Sequence, residues 1–216
     1  MLKKILLIGG GGNCKQVIDC ILNMNQYSDL GIIEKDAETF AEYAGITVVG
    51  SDEELPRLFK EGWKEAFISL GSIGNTDTRR MLFDMTKDIG YTMPVIVDPS
   101  ATISRGVEIG EGSWVQKGAI IDADVKIGKG VIVNKGVIIS HDCEIGDFVH
   151  LSPGSIILGN VKIGDDTHIG AGTTVRQQLT IGNKVMIGMG SVVVKDVPSG
   201  YQAFGNPCEL KKKIFS

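Results

Sequence analysis

A branched aliphatic residue recurs at every sixth position from Ile103 to Val193, sixteen times without an insertion, and Val97 extends the register one step backwards. Four positions after the aliphatic stands a small or β-branched residue, as in Ala101, Ser113, Ala119, Val125, Ser155, Thr167 and Thr173, and Gly, Asp, Asn or Ser commonly follows it directly. A helix needs apolar spacings near 3.6 and an amphipathic strand spacings of 2, so strict sixes fit neither alone. Short strands joined by tight corners do fit. Each strand points one aliphatic inward, and Gly, Asn or Asp takes the positive φ that a corner demands. Stacked coils then satisfy one another's backbone groups. A fixed period of six is the signature of a hexapeptide β-helix.

Composition narrows the classes. A formal net charge of −4 argues against a nucleic-acid binder, which carries a basic surplus. Leu2 to Ile8 is a short apolar run leading straight into glycines, which does not read as a signal peptide, and no apolar run is long enough to span a membrane. Cys14, Cys20, Cys143 and Cys208 lack CxxC spacing, so zinc and disulfide readings are weak. The expectation is a cytoplasmic protein with reduced thiols.

Before the repeats, β and α patterns alternate. Lys3 to Ile8 reads as a buried strand, Gly9 to Asn13 as a glycine turn, and Val17, Ile18, Ile21 and Leu22 as the inner side of a helix. Strand, glycine turn and helix offer backbone N–H groups to an anion. The dinucleotide fingerprint is incomplete, with Cys14 in place of its third glycine, so NAD is discounted. A second strand at Gly31 to Ile33 leads to Glu34-Lys35-Asp36, where an acid can meet a ribose or base, or simply be solvated. A short strand follows at Ile46 to Val49, then a helix through Phe59 opened by a Ser51/Glu54 capping box. Next come a strand at Ala66 to Leu70 ending in Gly71-Ser72, a helix at Arg79 to Lys87 and a strand at Pro94 to Val97. Alternation implies a small parallel sheet. We expect two domains, residues 1–95 and 96–216. Beyond Val197-Pro198, Tyr201 to Pro207 reads as an irregular tail, followed by Lys211, Lys212 and Lys213.

All three histidines lie in the repeats. His141 is third in its hexapeptide, at or near a corner outside the coil interior. It is either a reachable base, with Asp142 fixing its tautomer, or an ordinary surface histidine. His150 and His168 stack if the coil is three-sided, which invites a metal reading, but the three-histidine spacing of the hexapeptide-type carbonic anhydrases is missing. No nucleophile elbow or Walker loop is present.

Taken together, the glycine-rich start, Gly71, Val97-Asp98-Pro99-Ser100-Ala101, Val133-Asn134, the run from His141-Asp142-Cys143 to His150, and Gly205-Asn206-Pro207 closely resemble the bacterial nucleotide-sugar N-acetyltransferases and sialic acid O-acetyltransferases of surface-glycan synthesis. The resemblance implies a small α/β Rossmann-like N-terminal domain followed by an all-β left-handed parallel β-helix of hexapeptide repeats, eighteen residues to the coil. It implies His141 as general base and Asp142 as the acid that raises its basicity. By the same resemblance, His150, Ala171 and Met189 are expected to contact acetyl-CoA, the co-substrate, with no metal expected, and Gly11, Gly12, Asn13, Glu34, Lys35 and Gly71 to hold the nucleotide-sugar, a UDP-, GDP- or dTDP-linked 4-amino-4,6-dideoxy sugar. Relatives usually carry His at the place of Asn13 and often paired acids at Glu34-Lys35, so this chain departs from the pattern on its nucleotide side. The implied assembly is a homotrimer with acetyl-CoA between neighbouring coils. O-acetylation of a sialic acid and a non-catalytic trimeric scaffold are the alternatives.

Overall fold

The computed structural model describes residues 3–35 and 42–214, so Asp36 of the expected acidic cluster lies outside the described residues. The chain divides into two units, Met1–Gly71 with Asp77–Pro99, and Ser72–Thr76 with Ser100–Ser216. The short Ser72–Thr76 segment therefore belongs with the repeats although it falls inside the sequence of the first unit.

In the first unit, strand β1 (Lys3–Ile8) turns through Gly9–Gly11 into helix α1 (Gly12–Met24). The turn is possible because Gly9 has φ 101°, in the left-handed region, and a Cβ there would collide with Leu70. Helix α1 buries Cys14, Val17, Ile18 and Ile21, the i, i+3, i+4, i+7 face, and Asn25 closes it in the left-handed conformation. The unit's other elements include β2 (Tyr27–Ile33), β3 (Glu42–Tyr43), β4 (Ile46–Gly50), α2 (Leu55–Lys60), β5 (Glu65–Ile68) and α3 (Asp77–Ile89). The sheet order is β3-β4-β2-β1-β5, with β1 between β2 and β5 and Ile5 to Ile8 buried.

Three details differ from the sequence reading. Strand β2 begins at Tyr27, because Lys3 and Lys4 supply parallel partners for Tyr27 and the polar Asp29, with Ser28 passed over at a register shift between them. The sheet is not wholly parallel, since β3 pairs antiparallel to β4 at its edge. The Ser51/Glu54 capping box is present, but it caps a 3-10 turn at Asp52–Glu54 that runs on into α2.

In the second unit, each two-residue strand pairs in parallel with the strand eighteen residues on, as Ile120–Ile138, Glu144–Lys162 and His150–His168. Three hexapeptides thus make one coil, and the repeats form a left-handed parallel β-helix. Inward residues such as Val115, Ile121, Val133, Ile139, Leu151 and Ile157 are fully buried, and the outward residues distinguish the three faces. The aliphatic face presents Ile120, Ile138, Ile156, Thr174 and Val192. The charged face presents Glu108, Lys126, Glu144, Lys162 and Thr180, with a 3.0 Å Glu144–Lys162 ion pair. The histidine face presents Trp114, Ile132, His150, His168 and Met186.

Corners follow the residues that tolerate positive φ. The corner between the histidine and aliphatic faces is glycine in five successive coils, from Gly118 (φ 65°) to Gly190 (φ 67°). Between the aliphatic and charged faces, Asp124, Asp142, Asn160 and Gln178 take φ near 60°. At the third corner an Asx ladder ties coils together: Asp147 Oδ1 accepts from Lys129 N, Asp165 Oδ1 from Asp147 N, and Asn183 Oδ1 from Asp165 N.

The tail is ordered rather than irregular. Tyr201–Phe204 pairs parallel to Met186–Ile187 and so continues the histidine face, and Glu209–Lys213 returns antiparallel to it. No hexad marks this extension, which is why the sequence reading missed it.

His168 is buried although it points outward. Its Nδ1 is enclosed without a hydrogen-bond partner among the described residues, and its Nε2 lies 3.3 Å from Ser152 Oγ. Burial, and then the neighbouring His150, pull its pKa from the ordinary 6.5 to about 4. Between those values the unfolded chain takes up a proton that the folded chain refuses, so stability falls as pH falls through that window. Urea midpoints at pH 7 and pH 5 should therefore converge in His168→Gln; an unchanged pH difference would contradict this. In the interior, Ile157→Ala should cost about 2–5 kcal/mol by urea denaturation, and a loss below about 1 kcal/mol would show that the coil collapses around the gap.

Candidate functional site

His141 and Asp142 form the corner between Ile138–Ile139 of the aliphatic face and Glu144–Ile145 of the charged face. The backbone is held from both neighbouring coils: Asp142 N donates to Ala123 O and His141 O accepts from Asn160 N. Both side chains are about two-thirds exposed, at 65% and 61%, yet they are organised. His141 Nδ1 lies 2.8 Å from Asp142 Oδ2. An ionised carboxylate only accepts, so Nδ1 carries the proton and Nε2 keeps its lone pair. The imidazole occupies space left by Gly159, where a Cβ would stand 2.8 Å from both Cε1 and Nε2. A larger residue in the next coil would push the ring aside.

His150 sits in a different environment. It is 9% exposed. Its Nδ1 lies 2.7 Å from the Ser72 carbonyl oxygen, a pure acceptor, so Nδ1 bears the proton. Its Nε2 accepts from Asn134 Nδ2 at 3.3 Å, and the amide is oriented by Lys135 N donating to Asn134 Oδ1 at 3.0 Å. The His150 and His168 rings meet edge to face, 4.9 Å apart at 85°. Among the described residues no three His, Cys, Asp or Glu side chains gather in a metal-holding group. Asn134 and Ser72 were not among the expected site residues. Asn134 stands beside the Val133 hexad residue, but a backbone carbonyl such as that of Ser72 leaves no trace in a sequence.

Ala171 and Met189 occupy successive coils at the all-glycine corner, just before Gly172 and Gly190, and both are exposed, Met189 by 82%. They lie at the edge of the aliphatic face opposite to His141. The fold of one chain therefore brings Ala171 together with Met189, and His150 with Asn134, but separates these from His141 by the width of a face.

In the N-terminal unit, a Cβ on Gly11 or Gly12 would meet nothing within 4 Å. Among the described residues nothing fills the space beside those two glycines, the first N–H groups of α1 have no intrahelical acceptor, and no acid occupies its first turn. Asn13 packs against Gly71, where a Cβ would stand 2.5 Å from Nδ2. Glu34 has a structural duty: Oε2 accepts from Gly10 N at 2.6 Å and Oε1 from Lys35 N at 2.9 Å, tying the end of β2 to the glycine turn. Glu34 and Lys35 line a cavity of about 140 Å³ beside that turn. The six expected nucleotide-side residues thus gather at one end of the sheet, where β1, β2 and β5 finish.

Comparison with known proteins fits this division. Residues 4–86 match the PglD N-terminal domain, residues 142–177 the bacterial transferase hexapeptide of six repeats, and residues 160–195 the hexapeptide repeat of succinyl-transferase. No curated protein matches the chain significantly in sequence. Among solved structures, the acetyltransferase domain of PglB from Neisseria gonorrhoeae FA1090 in complex with acetyl coenzyme A is 33% identical, with 98% of this chain and 100% of that one covered and a TM-score of 0.90. PerB from Caulobacter crescentus in complex with CoA and GDP-perosamine is 33% identical over 98% and 99%, with a TM-score of 0.91. WeeI from Acinetobacter baumannii AYE is 27% identical over 97% and 100%, with a TM-score of 0.85. Identity and coverage at this level, spanning both units, place the chain in the nucleotide-sugar N-acetyltransferase family.

Proposed function

We propose that the protein transfers an acetyl group from acetyl-CoA to the amine of a nucleotide-linked amino sugar, a 4-amino-4,6-dideoxy sugar of surface-glycan synthesis, with His141 as general base. The observation that carries the reading is the exposed His141–Asp142 pair, 2.8 Å apart at a corner held by both adjacent coils. The relatives lend support, since one is bound to acetyl coenzyme A and another to CoA and GDP-perosamine. Forms of the perosamine N-acetyltransferase with a histidine changed to asparagine or alanine are solved with the same two ligands.

The amine nitrogen attacks the thioester carbonyl, forming the C–N bond. His141 Nε2 takes the ammonium proton as the tetrahedral centre forms, and the imidazolium is stabilised by Asp142. Collapse breaks the C–S bond, and the proton passes to the departing CoA thiolate. No acyl-enzyme is needed. His150, with Nδ1–H given to Ser72 and Nε2 receiving Asn134, is a positioned neutral ring rather than a second base; it holds acetyl-CoA with Ala171 and Met189.

Residues 1–95 serve as the nucleotide-sugar domain and 96–216 as the acyltransferase domain, with Gly11, Gly12, Asn13, Glu34, Lys35 and Gly71 on the nucleotide side. The working form is a cytoplasmic homotrimer. Ile120 is 40% exposed on the aliphatic face and Ile138, Ile156 and Val192 are only half-buried, a stripe that a second copy would cover. Among the described residues no helix is long and apolar enough to cross a membrane.

Replacing His141 by alanine should lower kcat by about 10²–10⁴-fold, the usual contribution of a positioned base, with KM for acetyl-CoA nearly unchanged. Thiol release across a panel of amino-sugar nucleotides measures this. A near-normal kcat would remove His141 from the role, and no thiol release from the native protein with any acceptor would favour a binding scaffold.

A further inference from the structure

The cavity beside the glycine turn has apolar walls from Ile8, Ile33, Leu70 and Leu82. Its polar groups are more telling. Glu34 spends both oxygens on backbone N–H groups. Asp52, at the first position of the 3-10 turn, is half-buried, and its carboxylate has no hydrogen-bond partner among the described residues. Burial, with Glu34 nearby, holds the Asp52 carboxyl above the usual carboxylate range, opposed by Lys35. A carboxylate in that setting gains most from a ligand that donates hydrogen bonds.

Two carboxylates facing one ammonium repel phosphate, which is better served by the open start of α1. The aliphatic walls suit the apolar faces of a ring rather than a hydroxyl-rich ribose, and about 140 Å³ is far below the roughly 300 Å³ at which sites for whole drug-sized ligands begin. Among the bases, guanine alone presents two adjacent N–H donors, N1–H and N2–H, matching the two oxygens of a carboxylate, with O6 beside them for a cation such as Lys35. Uracil and thymine place carbonyl oxygens on both sides of a single N–H, which sets oxygen against carboxylate. Adenine pairs its amino donor with a ring acceptor.

We propose, on the reading that the N-terminal unit holds the nucleotide, that this cavity is a nucleobase subsite selecting guanine, with Asp52 accepting N1–H and N2–H and Lys35 facing O6. The substrate is then a GDP-linked amino sugar. A site built for two donors discriminates strongly, because the wrong base leaves the acid unmatched.

Calorimetric titration of the whole protein with GDP, UDP, dTDP and ADP tests this. GDP should bind at least about tenfold more tightly than the others, and Asp52→Asn should shrink that preference to within about threefold without lowering the urea midpoint. Equal binding of GDP and UDP by the native protein would overturn the guanine assignment, as would full GDP preference in Asp52→Asn; in both cases the nucleotide reading stands. Failure of all four nucleotides to bind would overturn the nucleotide reading itself.

Discussion

The backbone bond from each coil to the next is the constraint on which everything else rests. Ser140 N donates to Ile157 O, Asn160 N to His141 O and Gln178 N to Gly159 O, each spanning seventeen to nineteen residues. Because the rungs from Thr102 to Gln178 lie at this offset, one inserted residue would turn an inward aliphatic outward and break the pairing of the coils beyond it. The uninterrupted register from Ile103 to Val193 is the sequence trace of that requirement. It also makes the corners stiff, since each is bonded above and below. An exposed side chain on such a corner has a fixed base.

That stiffness explains how a histidine largely open to solvent can be a defined chemical group. The Asp142 φ of 59° is a conformation that most residues avoid, and the Ala123 and Asn160 rungs hold it. The carboxylate is thereby placed at the Nδ1 edge of His141, while Gly159 leaves room for the ring. The aliphatic face then separates His141 from Ala171 and Met189. These two groups belong to one acetyl-transfer site only if a second copy lies along that face, so that the histidine edge of one coil meets the glycine edge of another. On the proposed shared site, the exposed aliphatic face and the two edges that carry these groups form one surface.

The legible part of this protein was the part written with a period. The inward aliphatics, the corner glycines and the stacking of His150 on His168 follow from counting by six, once three hexads are taken per coil. The strand, glycine turn and helix were likewise legible, and Cys14 stands where a dinucleotide fingerprint has its third glycine. What stayed hidden depends on partners that are distant in sequence. Strand β2 is longer than its apolar core because β1 supplies hydrogen bonds to a polar segment. The tail is a hairpin because the Met186 strand offers an edge. Glu34 reads as a ligand acid, and its two oxygens also accept from the Gly10 and Lys35 N–H groups, backbone partners that no side-chain pattern announces. The Ser72 carbonyl that sets the His150 tautomer belongs to backbone, which no side-chain pattern encodes.

Subunit complementation measures the central claim most directly. His141→Ala removes the base and Ala171→Trp blocks the opposite corner, so each variant alone should be nearly inactive. When the two are co-expressed and mixed assemblies isolated, some interfaces pair an intact His141 with an intact Ala171 from a neighbour, and up to about a quarter of native activity should return by random assortment in a closed ring. Mixed assemblies no more active than the parent variants would contradict an active site shared between copies across the aliphatic face.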